Sequence, residues 1–182
     1  MYSALGFLEL NSIAGGIEAC DEMLKVASVE LIESHPICPG KYMTLICGDV
    51  DAVKTSISKG KEVASINLVD DFVIPNIHEQ IVPALRALTS VVHLEAVGVV
   101  ETFSAASAIF AADAALKAAA VDMIEIRLSN GMGGKSFFTF TGIVGAVEAS
   151  VKAAKEAVVQ DGLLVNTVVI PSPHESMKSV LI

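Results

Sequence analysis

Residues 4–32, ALGFLELNSIAGGIEACDEMLKVASVELI, return as residues 96–124, AVGVVETFSAASAIFAADAALKAAAVDMI, with 13 of 29 positions identical at an offset of 92. Ala4, Gly6, Glu9, Ser12, Asp21, Leu24, Lys25 and Ala27 recur as Ala96, Gly98, Glu101, Ser104, Asp113, Leu116, Lys117 and Ala119. The offset then steps to 94, pairing Gly40-Lys41 with Gly134-Lys135 and Gly48 with Gly142. It steps again to 96, pairing Val73-Ile74-Pro75 and His78-Glu79 with Val169-Ile170-Pro171 and His174-Glu175. Two-residue steps of this kind are insertions of the size surface loops accept. The chain is therefore a duplication, expected as one domain over residues 1–92 and a second over 93–182. No Pro/Gly/Ser-rich linker stands at Thr89–Leu94, so the copies are expected to pack together and not to hang on a tether.

Each copy reads as strand, helix, two strands, helix, strand and short helix, an α/β (α+β) order. Leu5–Leu10 is an apolar strand, and Ser12 stands where an N-cap belongs. Ile13, Ile17, Cys20, Leu24 and Ala27 then follow at spacings of four and three, the period of one helix face. Val29–Ser34 and Lys41–Cys47 read as strands around a loop, Ser34–Gly40. Asp49 or Asp51 caps a helix running to about Val63, and Leu68–Ile74 reads as a buried strand. In the second copy Ser104 caps an Ala-rich helix to Ala119. Strands Val121–Leu128 and Lys135–Thr141 flank a loop, Ser129–Gly134, and Val144, Val147, Val151, Ala154 and Val158 mark one face of the next helix.

Composition narrows the function. The chain is 53% hydrophobic and 18% charged, below the roughly 25% charge of ordinary soluble domains. So little polar cover points to an obligate oligomer. The net charge of −9, with no basic run in either half, removes the electrostatic footprint that nucleic-acid binding requires. The longest charge-free run, Gly162–His174, has 13 residues, short of the ~18 of a membrane span. Met1–Gly6 lacks a basic n-region and Glu9 interrupts any apolar stretch, so no secretory leader is read and a cytoplasmic location is expected. Three cysteines in such a compartment are not expected to form a disulfide framework.

Three segments carry a resemblance, and each occurs in both copies. They are Ala4-Leu-Gly-Phe-Leu-Glu9 with Ala96-Val-Gly-Val-Val-Glu101, Asp21-x-x-x-Lys25 with Asp113-x-x-x-Lys117, and Val-Ile-Pro-x-x-His ending at His78 and at His174. In this order they resemble the bacterial microcompartment shell domain in its ordinary, non-permuted form. Within that family, Ile37-Cys-Pro-Gly-Lys41 resembles the tandem-domain type of propanediol-utilisation compartments, which carries an iron–sulfur cluster in its pore. The resemblance implies two tandem ferredoxin-like domains and a homotrimer whose six domains form a pseudohexameric tile. It places the chain in a microcompartment shell, with other shell proteins as edge partners and an encapsulated redox enzyme as a further one. The pore would be lined by Ser34, His35, Pro36, Ile37, Pro39 and Gly40 of the first copy and by Asn130, Gly131, Met132 and Gly133 of the second. Lys25 and Lys117 match the family's tile-edge lysine. The family often has Arg between the two prolines of its closing motif, where this chain has Asn76 and Ser172.

Cys38 is the residue on which chemistry is expected. One thiolate cannot hold a cluster, but three meeting on a threefold axis would bind three irons of a [4Fe-4S] cubane, one per trimer, leaving the fourth iron to another ligand. Read from the residues alone, Cys38 is first a free loop thiol, and His35-x-x-Cys38 leaves a threefold zinc site open. Cys20 and Cys47 read as small core residues. Ser129-Asn-Gly-Met-Gly-Gly-Lys-Ser136 is not a phosphate loop, because its first glycine is missing and a strand follows the lysine. The paired His-Glu dipeptides read as starts of the last helices. No catalytic constellation remains, so an enzyme is not expected. The functional expectation is a shell tile whose cluster passes electrons across the wall or is delivered to an enzyme inside. Its rivals are a cluster-free metabolite pore and a soluble small-molecule-binding regulator.

Overall fold

Strand β1 (Ala4–Leu10) is buried at every position. It lies between β3 (Lys41–Gly48) and β4 (Leu68–Pro75), antiparallel to both, in a sheet ordered β2-β3-β1-β4, with β2 (Glu30–Ile37) at one edge. Side chains alternate across a strand, and β1 uses both faces. Ala4, Leu8 and Leu10 join Ala19, Met23, Val53 and Ile57 in the core under helices α1 (Ile13–Val26) and α2 (Val50–Ala64). Gly6 belongs to that face too, and a Cβ there would lie 2.7 Å from Val53. On the other face the Phe7 ring stacks on Phe72 at 4.9 Å.

The computed structural model describes residues 2–160 and 162–182. They form two units, Met1–Ile77 and His78–Ile182. The second repeats the first: β5 (Ala96–Thr102), α4 (Ala105–Ala118), β6 (Asp122–Arg127), β7 (Ser136–Gly142), α5 (Val144–Val158) and β8 (Leu164–Ile170), in a sheet ordered β6-β7-β5-β8. Ser12 Oγ accepts the Gly15 N–H at 3.1 Å, and Ser104 Oγ accepts that of Ser107 at 3.1 Å. These are the caps the sequence announces. Asp49 occupies the N-cap of α2 but makes no side-chain cap bond, and its counterpart on α5 is Ile143.

Two features differ from expectation. The core face of α1 is Gly16, Ala19, Cys20 and Met23, so of the expected stripe only Cys20 lies in the core. Ile13, Ile17 and Leu24 are 43%, 56% and 37% exposed. Gly16 sets this rotation, since a Cβ there would sit 2.4 Å from the Tyr42 ring. The backbone of α1 comes down on β3 at that point, and the bulkier stripe turns outward.

The second concerns the join. By repeat, residues 78–92 belong to the first copy; by packing, the chain divides after Ile77. Helix α3 (Ile81–Leu85) lies against β6 within the second unit. The His78 N–H donates to Asp113 Oδ1 at 2.9 Å, Gln80 Oε1 accepts the Met123 N–H at 2.7 Å, and Thr89 Oγ1 donates to the Ile124 carbonyl at 2.7 Å. The corresponding end of the second copy is a 3-10 turn, Glu175–Met177, followed by α6 (Lys178–Leu181).

Candidate functional site

The two β2–β3-type hairpins carry the candidate residues. Pairing of β2 with β3 runs to Ile37↔Lys41, so the turn is three residues, Cys38-Pro39-Gly40. Ser34–Ile37, expected as loop, are strand. Pro36 is admitted because β2 is an edge strand, where a missing N–H leaves no ladder bond unmade. Gly40 closes the turn at φ +88°, a conformation suited to glycine, and its N–H donates to the Ile37 carbonyl at 2.9 Å. The Cys38–Pro39 peptide is cis.

Of the three thiols, Cys20 and Cys47 are buried and Cys38 is half-buried at the turn. Pro39 and Gly40 beside it are exposed, whereas Ile37 turns inward and is buried. Ser34 is tied within its own sheet, with its Oγ 3.1 Å from Tyr42 Oη and 3.0 Å from Thr44 Oγ1. His35 meets an acceptor at each ring nitrogen: Glu33 Oε2 at Nε2 and the Pro36 carbonyl at Nδ1, both at 3.1 Å. Only the protonated ring donates to both. The Glu33 hydrogen bond accordingly raises the imidazole above its ordinary 6.5, against the opposing effect of burial. A zinc-binding nitrogen must be neutral and free, so the geometry opposes the zinc alternative at His35.

The second hairpin is built differently. Ser129 is buried at φ +40°, its N–H donates to Ser136 Oγ at 3.0 Å, and its Oγ donates to the Gly134 carbonyl at 2.9 Å. This inner clasp leaves Asn130, Gly131 and Gly133 exposed and Met132 half-buried. Gly131, Gly133 and Gly134 all have positive φ. β7 begins directly after Lys135, so no helix N-terminus faces the loop.

Below each turn stands an ion pair that sequence reasoning did not join. Lys41 Nζ binds Glu9 Oε1, and Lys135 Nζ binds Glu101 Oε1 at 2.9 Å. The signal was available, because both partners recur in both copies. Glu9 is 2% exposed, and a carboxylate so placed requires its cation. Nearby, burial chiefly pushes Asp70 above the ordinary carboxylate range, with Asp71 adding to the shift, while a backbone hydrogen bond from Asp71 and the Lys41 charge oppose it.

Lys25 and Lys117 are alike in geometry. Lys25 binds Asp21 and, at 3.1 Å, Glu22, which raise its pKa, and Lys117 binds Asp113 at 2.5 Å. Asn76 holds φ +53°, the left-handed region asparagine tolerates better than arginine does, and its N–H donates to the Ser3 carbonyl at 2.7 Å. Among the described residues no three His, Cys, Asp or Glu side chains converge as a metal site within one chain.

The family model for the BMC domain matches residues 4–77 and again 96–173. The chain belongs to the BMC-domain family. The bacterial microcompartment shell protein PduT of Citrobacter freundii is 48% identical over 177 residues, 97% of this chain and 96% of that protein. EutK of Salmonella typhimurium, a shell protein of the same kind, is 33% identical over 64 residues, 35% of this chain and 39% of its own. A crystal structure of a microcompartments protein from Desulfitobacterium hafniense superposes with a TM-score of 0.93 at 52% identity, covering 97% of this chain and 98% of that one. This BMC-domain chain is thus a structural microcompartment shell protein of tandem-domain type, not an enzyme. None of its described helices is long and apolar enough to cross a membrane.

Proposed function

We propose that the chain forms a homotrimeric, pseudohexameric tile of a microcompartment shell, assembling with other shell proteins at its edges. Its two hairpin turns line a central pore, where Cys38 from each of three copies holds one [4Fe-4S] cluster. The observation that carries this reading is Cys38 itself: the one accessible thiol among three, set on a short turn whose base is held by a part-buried ion pair. Thiolates are the natural ligands of such clusters, normally four in number. Three Cys38 sulfurs satisfy three irons, and the fourth takes a ligand from outside the protein. The compact glycine turn of the second copy leaves room beside the thiols. A cluster so held is a one-electron carrier at the boundary between shell interior and cytoplasm, able to serve an enclosed redox enzyme or to be delivered to it.

Anaerobically purified protein is expected to be brown, with iron and acid-labile sulfide equal to about one cubane per three chains. Cys38→Ser is expected to lose both while remaining folded. Unchanged iron and sulfide in Cys38→Ser overturns the assignment, and iron-free protein after anaerobic reconstitution favours the plain metabolite pore. In electron microscopy flat hexagonal sheets are expected. Discrete trimers that bind a metabolite and never form sheets favour the regulator.

A further inference from the structure

On the face away from its helices, each sheet carries the same row of polar positions, and the two copies fill that row differently. In the first copy Glu9 on β1 stands opposite Asp70 on β4 and Met43 on β3, and His35 on β2 stands opposite Met43 from the far side. In the second, Glu101 stands opposite Asn166 and Phe137, with Arg127 beyond Phe137. Residues directly opposite share a face, so His35 and Asp70 correspond to Arg127 and Asn166. Two ion pairs are common to both rows. Glu9–Lys41 matches Glu101–Lys135, and Glu33–His35 at 3.1 Å matches Glu125–Arg127 at 2.6 Å.

The second row is balanced and does not titrate near neutrality, because each carboxylate has a fixed cation and Asn166 carries no charge. In the first row three carboxylates, Glu33, Glu9 and Asp70, face one fixed cation, Lys41. That row reaches the balance of its counterpart only with a proton on His35 and another on Asp70. Asp71 does not enter the count, since it stands opposite Leu8 on the helix side and is held by Lys61 at 2.8 Å. Glu33 favours the imidazolium, and burial favours the neutral form of half-buried Asp70. Both replacements of a fixed group by a titrating one fall in the copy that carries Cys38. At about 3.3 Å per residue of strand, His35 lies roughly 10 Å from that thiol.

We infer that His35 and Asp70 form a proton-accepting row coupled to the charge held at the Cys38 turns. One electron gained at the turns draws a compensating proton from water onto the His35 ring or the Asp70 carboxylate, and loss of the electron releases it. The inference rests on the cluster of the proposed function and makes its electron transfer proton-coupled. The electron comes from a one-electron donor of the reduced-flavin or iron–sulfur class, and no bond of the protein breaks. A unit charge at that distance changes a proton affinity about two- to tenfold. Arg127 and Asn166 give the second row no such response.

The test is potentiometry on anaerobically loaded protein, assayed first for iron and sulfide, from about pH 5 to 8, where histidine titrates. The midpoint potential is expected to fall as pH rises, by up to the ~59 mV that a tenfold change in affinity represents for one electron. His35→Arg combined with Asp70→Asn gives the first row the residues of the second, and is expected to keep the cluster and show a flat potential. An unchanged slope in that variant, or a flat potential in the unaltered protein, overturns the coupling. A second readout needs no cluster: Cys38→Asp places a negative charge at the turn that Cys38→Ser does not. The His35 ring Cε1 proton is expected to titrate at higher pH in Cys38→Asp, by about two- to tenfold in affinity. Equal titration in the two variants overturns the coupling even where the cluster is present. Iron-free protein overturns the cluster and the electron coupling together, whereas loaded protein with a flat potential overturns the coupling alone.

Discussion

At Gly16 a hydrogen atom decides how α1 lies. With a Cβ position 2.4 Å from the Tyr42 ring, Gly16→Ala must displace either the ring or the helix. Overpacking of this kind typically costs about 1–3 kcal/mol, to be read from the urea midpoint. Asn76 is a comparable case, holding a left-handed φ of +53° that asparagine tolerates better than most residues. His35 is the titrating residue of the site. Its folded pKa is raised by Glu33, so the pair's stabilisation is full below the ordinary value near 6.5 and is lost as pH rises through the higher folded value. Glu33→Gln is expected to lower the His35 pKa, measured by the NMR shift of its ring Cε1 proton, and to reduce the fall in stability across that window. An unmoved titration would show that Glu33 does not hold the ring. Neither Gly16's clash nor the Glu33–His35 pair was legible in the sequence, since each depends on which side chain a pleated strand turns toward its neighbour.

Elements were more legible than their faces. The order of strands and helices, and the caps Ser12 and Ser104, follow from period and punctuation, because hydrogen bonding and capping are local. The rotation of α1 does not, because apolar period marks a stripe without saying whether sheet or another surface covers it. Helix α1 therefore carries both a small-residue face for its own sheet and an apolar stripe outside the core. The hairpin was misjudged in length for a related reason: Pro36 reads as a strand breaker until β2 proves to be an edge. What steadies that hairpin is the Glu9–Lys41 pair at its base. Lys41→Met removes the cation from a carboxylate that is 2% exposed. A fully buried pair broken in this way costs ~3–5 kcal/mol; because Lys41 itself is partly solvated, a loss of about 2 kcal/mol is expected in thermal unfolding. Adding Glu9→Gln to that variant is expected to restore part of the loss.

For the whole molecule, the duplication settled the fold class, and the difference between copies pointed to the site. Cys38 against Gly131, Gly133 and Gly134 was visible at once, because the copies can be compared residue by residue. The handover of residues 78–92 to the second unit was not, since a repeat records ancestry and not packing. The low charge content anticipated apolar surface outside the core, and the outward Ile13, Ile17 and Leu24 are part of it. That stripe has a consequence in time. It leaves the ribosome before any strand of the second sheet. At ~5–20 residues per second, roughly 7–30 s separate Leu24 from Ile170, the end of β8. The stripe stays exposed through that interval, while the second sheet is still being made.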